Sequence, residues 1–238
     1  MSEFLKDYHR IVEVGTGDAS GTMALFKNGS VIVSIEENPY CFELAQKNLE
    51  NAGIPFTAVP LSEIPPQHSG KNEIRHENIL AEMPVEGVLL LEGNVLKDQR
   101  LEVWLREHAP FDGIACWNIG TSPLNWIVDS NASEYRLKVQ NIVYQMGHFI
   151  LRPDGILHII DRGHAPKENQ RQEMTLAQLE VHQDQASITN LQVDPEITFR
   201  VYNPPEKGTG IEMHVVNDTT YDFDDKNRAF WSIISKKS

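Results

Sequence analysis

The sequence predicts an α/β protein with a mostly parallel, seven-stranded sheet between two helical layers and antiparallel strands near its C-terminal end. Three observations lead there. Short β-branched runs alternate with helix signals through the first two thirds of the chain. Parallel neighbours need a long return path, which a helix normally supplies, so this alternation favours helices on both faces. Downstream, the pattern changes to the period-two alternation of antiparallel strands.

Each element has a local cause. Ile11 to Val14 reads as a short buried strand running into Gly15-Thr16-Gly17-Asp18. Ser20 to Lys27 suits a short helix broken by Gly29, and VIVSI (31–35) is the second strand. Asn38 can cap a helix that starts at Pro39 and stops at Gly53, with Phe42, Ala45 and Leu49 on one face. Residues 54–87 are rich in proline and lack sustained periodicity, which predicts an insertion or lid.

Regular order returns with GVLLLEGNV, then a helix carrying Leu101, Trp104 and Leu105 at i, i+3, i+4 spacing and ended by Pro110. FDGIACWNIGT (111–121) predicts a strand entering a loop. Asn131 and Glu134 offer a reciprocal cap for a helix striped by Val139, Ile142, Val143, Met146, Phe149 and Ile150. Arg152-Pro153-Asp154-Gly155 then predicts a turn into the strand ILHII (156–160). Lys167 to about Asp184 reads as a polar helix. Ile197/Phe199/Val201, Ile211/Met213/Val215 and FWSII (230–234) predict the antiparallel strands. The expected organisation is one domain over 1–238, with the insertion at 54–87 and a C-terminal strand region at 195–238.

Composition narrows the function classes. The 238 residues carry 21 basic and 34 acidic side chains, a formal charge of −13, and 40% apolar residues. That apolar content argues against general disorder, and no apolar run approaches the roughly 18 residues of a membrane span. Such an acidic chain repels polyanions, so a nucleic-acid partner is disfavoured. Cys41 and Cys116 are too few and too far apart for a disulfide framework, and MSEFLKDYHR lacks an apolar signal core. The expectation is a soluble, cytoplasmic protein with reduced thiols, off the membrane, as a monomer or homodimer.

The glycine loop points to a ligand. Gly-x-Gly after a strand alone requires no more than a tight turn, but Glu36 closes the second strand 19 residues after Gly17. That is near the roughly 20-residue spacing at which a carboxylate receives both hydroxyls of an adenosine ribose. Asp18 then argues against a diphosphate. Two like charges at ~4 Å and an effective dielectric of ~20 repel by about 4 kcal/mol. A ligand carrying a sulfonium and an ammonium has no such conflict with Glu13 and Asp18.

Taken together, these motifs resemble the class I S-adenosylmethionine-dependent methyltransferases over about residues 9–161. VEVGTGDAS is similar to the family's acidic-x-Gly-x-Gly loop, and VIVSIEENP to its second strand with a ribose-binding acid. LLLEGNV, FDGIACWN and LRPDGILHII are similar to the third, fourth and fifth strands. The resemblance implies a Rossmann-like methyltransferase fold and S-adenosyl-L-methionine as cofactor. It implies that Gly15, Thr16 and Gly17 line the methionine moiety, with Glu13 and Asp18 organising the loop and a water or the ammonium group. Glu36 takes the ribose hydroxyls in preference to Glu37. Asn94, between Gly93 and Val95, stands where the family often has an aspartate accepting from the adenine amino group. Asn118, or its neighbours Trp117 and Ile119, reaches the methyl end. Ala19 departs from the family's frequent third glycine.

For the methyl acceptor the resemblance implies little. Asp161 and His164, after the fifth strand, are the candidate general bases, with Asn118 as a positioning amide. Asn118-Ile119-Gly120-Thr121 lacks the Pro-Pro-aromatic sequence of amino methyltransferases acting on DNA bases or glutamine. Nine histidines without an H-E-x-x-H pair predict no metal. Trp126, Tyr135, Tyr202 and Tyr221 are candidate stacking residues. The leading expectation is methyl transfer to a small molecule or a protein side chain. The alternatives are a catalytically silent cofactor-binding sensor or partner subunit, and an aminopropyl transferase on the same fold.

Overall fold

In a computed structural model, residues 2–61, 63–64, 75–119, 132–202 and 228–238 are described. The first β-branched run forms β1 (Arg10–Val14), which pairs in parallel with β2 (Val31–Glu36), Ile11 opposite Ile32 and Val14 opposite Ile35. Between them lies α1 (Ser20–Lys27), and after β2 comes α2 (Pro39–Asn51). Asn38 caps α2 by accepting from the Tyr40 N–H at 3.0 Å, as its position ahead of Pro39 predicts.

The proline-rich segment contributes more structure than expected. Phe56–Val59 forms β3, whose β-rich FTAV run lies between Pro55 and Pro60. A sheet edge tolerates flanking prolines because no second ladder needs their missing N–H. β4 (Glu63–Ile64) and β5 (Arg75–His76) pair antiparallel as a separate two-stranded ribbon. The chain then enters the sheet again as β6 (Val88–Glu92), parallel to both β2 and β3.

From β6, α3 (Gln99–Glu107) leads back across to β7 (Phe111–Trp117), which pairs in parallel with the free side of β1. Succession along the chain therefore reverses at β1. The crevice beyond the carboxyl ends of β1 and β7 is a topological switch point, where open α/β sheets bind ligands.

The other half of the sheet is built from α4 (Ala132–Ile150), β8 (Leu151–His164), α5 (Arg171–Ala186), β9 (Leu191–Val193), β10 (Thr198–Tyr202) and β11 (Arg228–Lys237). β8 is parallel to β7, whereas β11 runs antiparallel to β8 and also pairs with β9 and β10. The order is β10-β11-β8-β7-β1-β2-β6-β3, with β9 on β11, nine described strands in place of the seven expected. The additions are β3, from the insertion, and β9. Arg152-Pro153-Asp154-Gly155 is also not a free turn. It is absorbed into β8 as an irregularity, because Phe111 pairs with Leu151 but Gly113 with Ile156, and Asp154 takes φ 60°.

Alternate residues of the central strands enter two cores. Ile11, Ile32, Leu90, Ala115 and Trp117 pack with Phe42, Ala45 and Leu49 of α2. Val12, Val33, Leu89 and Leu91 pack with Leu101, Trp104 and Leu105 of α3 and with Val139 and Val143 of α4. Every residue of β2 is buried, as a strand covered on both faces requires. The expected stripe on α4 is only partly inward: Val139, Val143 and Ile150 are buried together with Tyr135 and Tyr144, while Phe149 is 49% exposed. Tyr135 is thus a packing residue. No described helix is long and apolar enough to cross a membrane. The expected strand through Ile211, Met213 and Val215, together with Asn131, Trp126, Tyr221 and the side chain of Tyr202, lies outside the described residues.

Candidate functional site

The site grows from the end of β1. Gly15 (φ 84°), Gly17 (φ 58°) and Ala19 (φ 65°) all adopt left-handed backbone, and the N–H groups of Gly15 and Thr16 donate to the Ile35 carbonyl at 2.9 and 3.3 Å. This hook carries the chain over the end of β2 and into α1. A Cβ on Gly15 would lie 2.6 Å from the Ile119 side chain, so glycine there lets the segment after β7 approach the loop. Gly17 faces open space, and Asp18 is exposed, its carboxylate accepting from the Ser20 N–H at 3.0 Å. Asn48 of α2 donates to the Asp18 carbonyl at 2.9 Å, which ties the loop to the second helix.

Beneath the loop lies a buried polar relay. Glu13 is 2% exposed and accepts from the Thr22 hydroxyl at 2.5 Å and the Ser34 hydroxyl at 2.7 Å. With the Ser34 proton committed to Glu13, the Thr16 hydroxyl donates to Ser34 Oγ at 2.6 Å. Burial pushes the Glu13 pKa up to about 7, opposed by its two hydroxyl donors. Its other oxygen lies against Gly21, where a Cβ would come within 2.5 Å of it. Glu13 braces the loop, β2 and α1 from inside. Ser34 and Thr22 carried a readable signal: polar residues on the face of β2 and α1 that meets an acid on β1.

Glu36, the last residue of β2, is 6% exposed. One carboxylate oxygen accepts from the Gly17 N–H at 2.8 Å and the other from the Asn38 N–H at 2.8 Å, joining the glycine loop to the start of α2. Burial raises its pKa, and the two backbone N–H groups work against that rise. Glu37 turns to the neighbouring strand, where one carboxylate oxygen accepts from Asn94 Nδ2. Asn94 Oδ1 in turn accepts from the Leu96 N–H at 2.8 Å. Gly93 allows close packing here, since a Cβ would lie 2.8 Å from both Asp98 and Leu101. Val95 leads away from the strand ends and, with Leu101, Leu105, Ile142 and Met146, lines a cleft of about 270 Å³ between α3 and α4.

On the far side of β1, Asn118 follows β7 with φ 52°, and its N–H donates to the Ile160 carbonyl at 2.7 Å. Its Oδ1 is buried and has no hydrogen-bond partner among the described residues. Trp117 belongs to the core. Its indole N–H donates to His158 Nδ1 at 3.2 Å, which leaves the His158 Nε2 proton for Ser232 Oγ at 2.9 Å.

The candidate bases are less well placed. Asp161 accepts from Arg136 at 2.9 Å and from Gln140 at 3.2 Å, so α4 holds its carboxylate in an ion pair. His164 pairs through its backbone with Arg228, and its side chain is outside the described residues. Among the described residues, no group of three or more His, Cys, Asp or Glu side chains is placed to hold a metal ion.

No family model and no curated protein matches the chain. Solved structures do. The chain is similar to an O-methyltransferase from Bacillus cereus in complex with SAH, at 13% identity and a TM-score of 0.50 over 98% of this chain and 76% of that one. TrmN from Thermus thermophilus gives 9% identity and a TM-score of 0.51 over 99% of this chain but 46% of that one, so the chain spans less than half of TrmN. The fold is that of the class I S-adenosylmethionine-dependent methyltransferases. On this methyltransferase fold, Asn118, Gly15–Asp18, Glu36–Glu37 and Gly93–Val95 lie at the carboxyl ends of four adjacent strands, β7, β1, β2 and β6 in that order. Asp161 stands one strand further out, on β8.

Proposed function

We propose that the chain binds S-adenosyl-L-methionine in this crevice and transfers its methyl group to a small molecule or a protein side chain. The observation that carries the reading is Glu36, a buried carboxylate at the tip of β2, fixed by backbone N–H groups from both the glycine loop and α2. A carboxylate held this way keeps lone pairs for a pair of vicinal hydroxyls, and its orientation is set before a ligand arrives. The rest of the set fits the same group. Gly17 leaves open space over the loop, and acidic Asp18 suits a cationic ligand far better than a diphosphate.

The cofactor would supply an activated methyl group on a sulfonium. The protein's part is positioning. Gly15, Thr16 and Gly17 would present the loop backbone to the methionine portion, and Glu13 stiffens that loop from below. Asn118 would offer its buried Oδ1 to an N–H or O–H of the incoming nucleophile. Because Asp161 is held by Arg136 and Gln140, it supports the structure around β8 better than it accepts a proton.

Calorimetric titration with S-adenosylmethionine and S-adenosylhomocysteine tests the reading. The wild type is expected to bind both, and Glu36→Ala, which removes charge-assisted hydrogen bonds, to bind roughly 10- to 100-fold more weakly. Absence of binding by a folded wild type sinks the proposal. Labelled methyl transfer into a cell extract then separates small-molecule from protein acceptors.

A further inference from the structure

Bracing the glycine loop does not need an ionisable group. A glutamine would hold Thr22 and Ser34 as well, yet the residue beneath the loop is the acid Glu13, with both hydroxyls donating to one oxygen, Oε2, at 2.5 and 2.7 Å. The chain of oxygens continues towards the site. Ser34 Oγ, fully buried, lies 2.6 Å from the hydroxyl of Thr16, the residue between the two glycines of the hook. Such a chain has two proton arrangements, because each hydroxyl can donate once and accept. With Glu13 ionised, Thr22 and Ser34 donate to it and the Thr16 proton is turned inward to Ser34. With Glu13 protonated on Oε2, the carboxyl donates to Ser34, Ser34 donates to Thr16, and the Thr16 proton is released from the interior.

The surroundings hold these two arrangements close to balance. Among the described residues, the charges that act on Glu13 are the carboxylates of Glu36, at the end of β2, and Asp18, in the loop, and both favour the neutral acid. The hydroxyls of Thr22 on α1 and Ser34 on β2 favour the ionised one. β7 places the uncharged Trp117 ring beside Gly21, against which Glu13 Oε1 packs.

We infer that seating the cofactor drives a proton off Glu13, with Ser34 as the residue that couples this acid to the glycine loop. This rests on the adenosyl reading given above, in which the loop receives a ligand carrying a sulfonium and an ammonium. A positive charge above the loop favours the ionised acid below it, and the inward turn of the Thr16 hydroxyl accompanies that ionisation. The proton leaves to solvent, so affinity rises with pH through the titration of Glu13, and acidification loosens the ligand. Ser34 is a positioning residue, because it lies beneath Thr16 and acts through it.

Calorimetry in two buffers of different ionisation enthalpy counts the protons exchanged on binding. S-adenosylmethionine is titrated at pH 7 into the wild type, Glu13→Gln and Ser34→Ala, with circular dichroism to confirm folding. Glu13 is about half protonated at that pH, so the wild type is expected to release about half a proton more than Glu13→Gln. Protons exchanged by the ligand's own ammonium, by Glu36 or by Asp18 are common to both proteins and cancel. Between pH 6 and pH 7, wild-type affinity is expected to rise by about three- to fivefold more than that of the glutamine variant. Ser34→Ala removes a donor that favours the ionised acid and is expected to move the release to higher pH, which a merely structural role would not do. Equal proton release by the wild type and folded Glu13→Gln overturns the inference while leaving the adenosyl reading intact. Wild-type affinity that is flat between pH 6 and pH 7 overturns it as well, as does a release profile of folded Ser34→Ala that superimposes on the wild type's. No binding to the wild type removes the reading on which it rests.

Discussion

Glu13 shows what a single buried acid does to this protein. Its carboxyl titrates near 7 when folded, against a reference of 4.5. The native state therefore binds more protons than the unfolded chain between those values, and the associated stability is lost as pH rises through 7. A shift of this size corresponds to a loss on the order of 3 kcal/mol. Glu13→Gln keeps an oxygen for Thr22 and Ser34 and removes the titration. Denaturant unfolding at pH 5 and pH 8 should show the glutamine variant gaining on the wild type at the higher pH, and an unchanged gap would contradict the burial argument. Glu36 was visible in the sequence because its distance from Gly17 is fixed by one helix and one strand. The bond between Glu37 and Asn94 was not, because they lie 57 residues apart and meet only once β2 and β6 are known to be neighbours.

At the scale of elements, α4 and β8 are joined by the Asp161–Arg136 ion pair, with Gln140 as a second donor. Asp161→Asn leaves Arg136 partly buried without its counter-charge, and a stability loss of about 1–3 kcal/mol is expected in chemical unfolding. Transfer activity in the folded fraction should persist, and its loss would return Asp161 to the role of base. The strong helix signals were readable here because capping residues and apolar spacing are local. The strand β3 was missed because four residues beside two prolines carry almost no periodic signal, and only the exposed edge of β6 gives them a partner. The irregularity in β8 escaped for a related reason: a Pro-Asp-Gly sequence suits a turn and a bulge equally well.

For the whole molecule, buried titratable groups oppose one another. His158, between Trp117 and Ser232, has its pKa lowered by burial to about 3, and His182, beside Tyr144, is lowered to about 4. Both depress the native affinity for protons, so their stability contribution is present above 6.5 and lost as pH falls. Glu13 acts in the other direction. Because two histidines outweigh one carboxyl over the range they share, melting temperature is expected to rise from about pH 4 to about pH 6.5 and to level off above about pH 7, and a profile that falls between pH 4 and pH 6 would contradict this balance. The parallel half of the sheet could be read from the sequence because each crossover announces itself through a helix. The outer half could not, since antiparallel order depends on which distant strand completes an open edge.

That completion falls to β11. It follows all of its partners along the chain, yet it lies between β8 and β10, and its register with β8 runs from Arg228 opposite His164 to Lys236 opposite Ile156. During synthesis, then, β8 emerges from the ribosome with one unpaired edge and keeps it until β11 follows. A nascent chain paused before residue 228 offers that edge to any neighbour, and chaperone capture should concentrate in that interval.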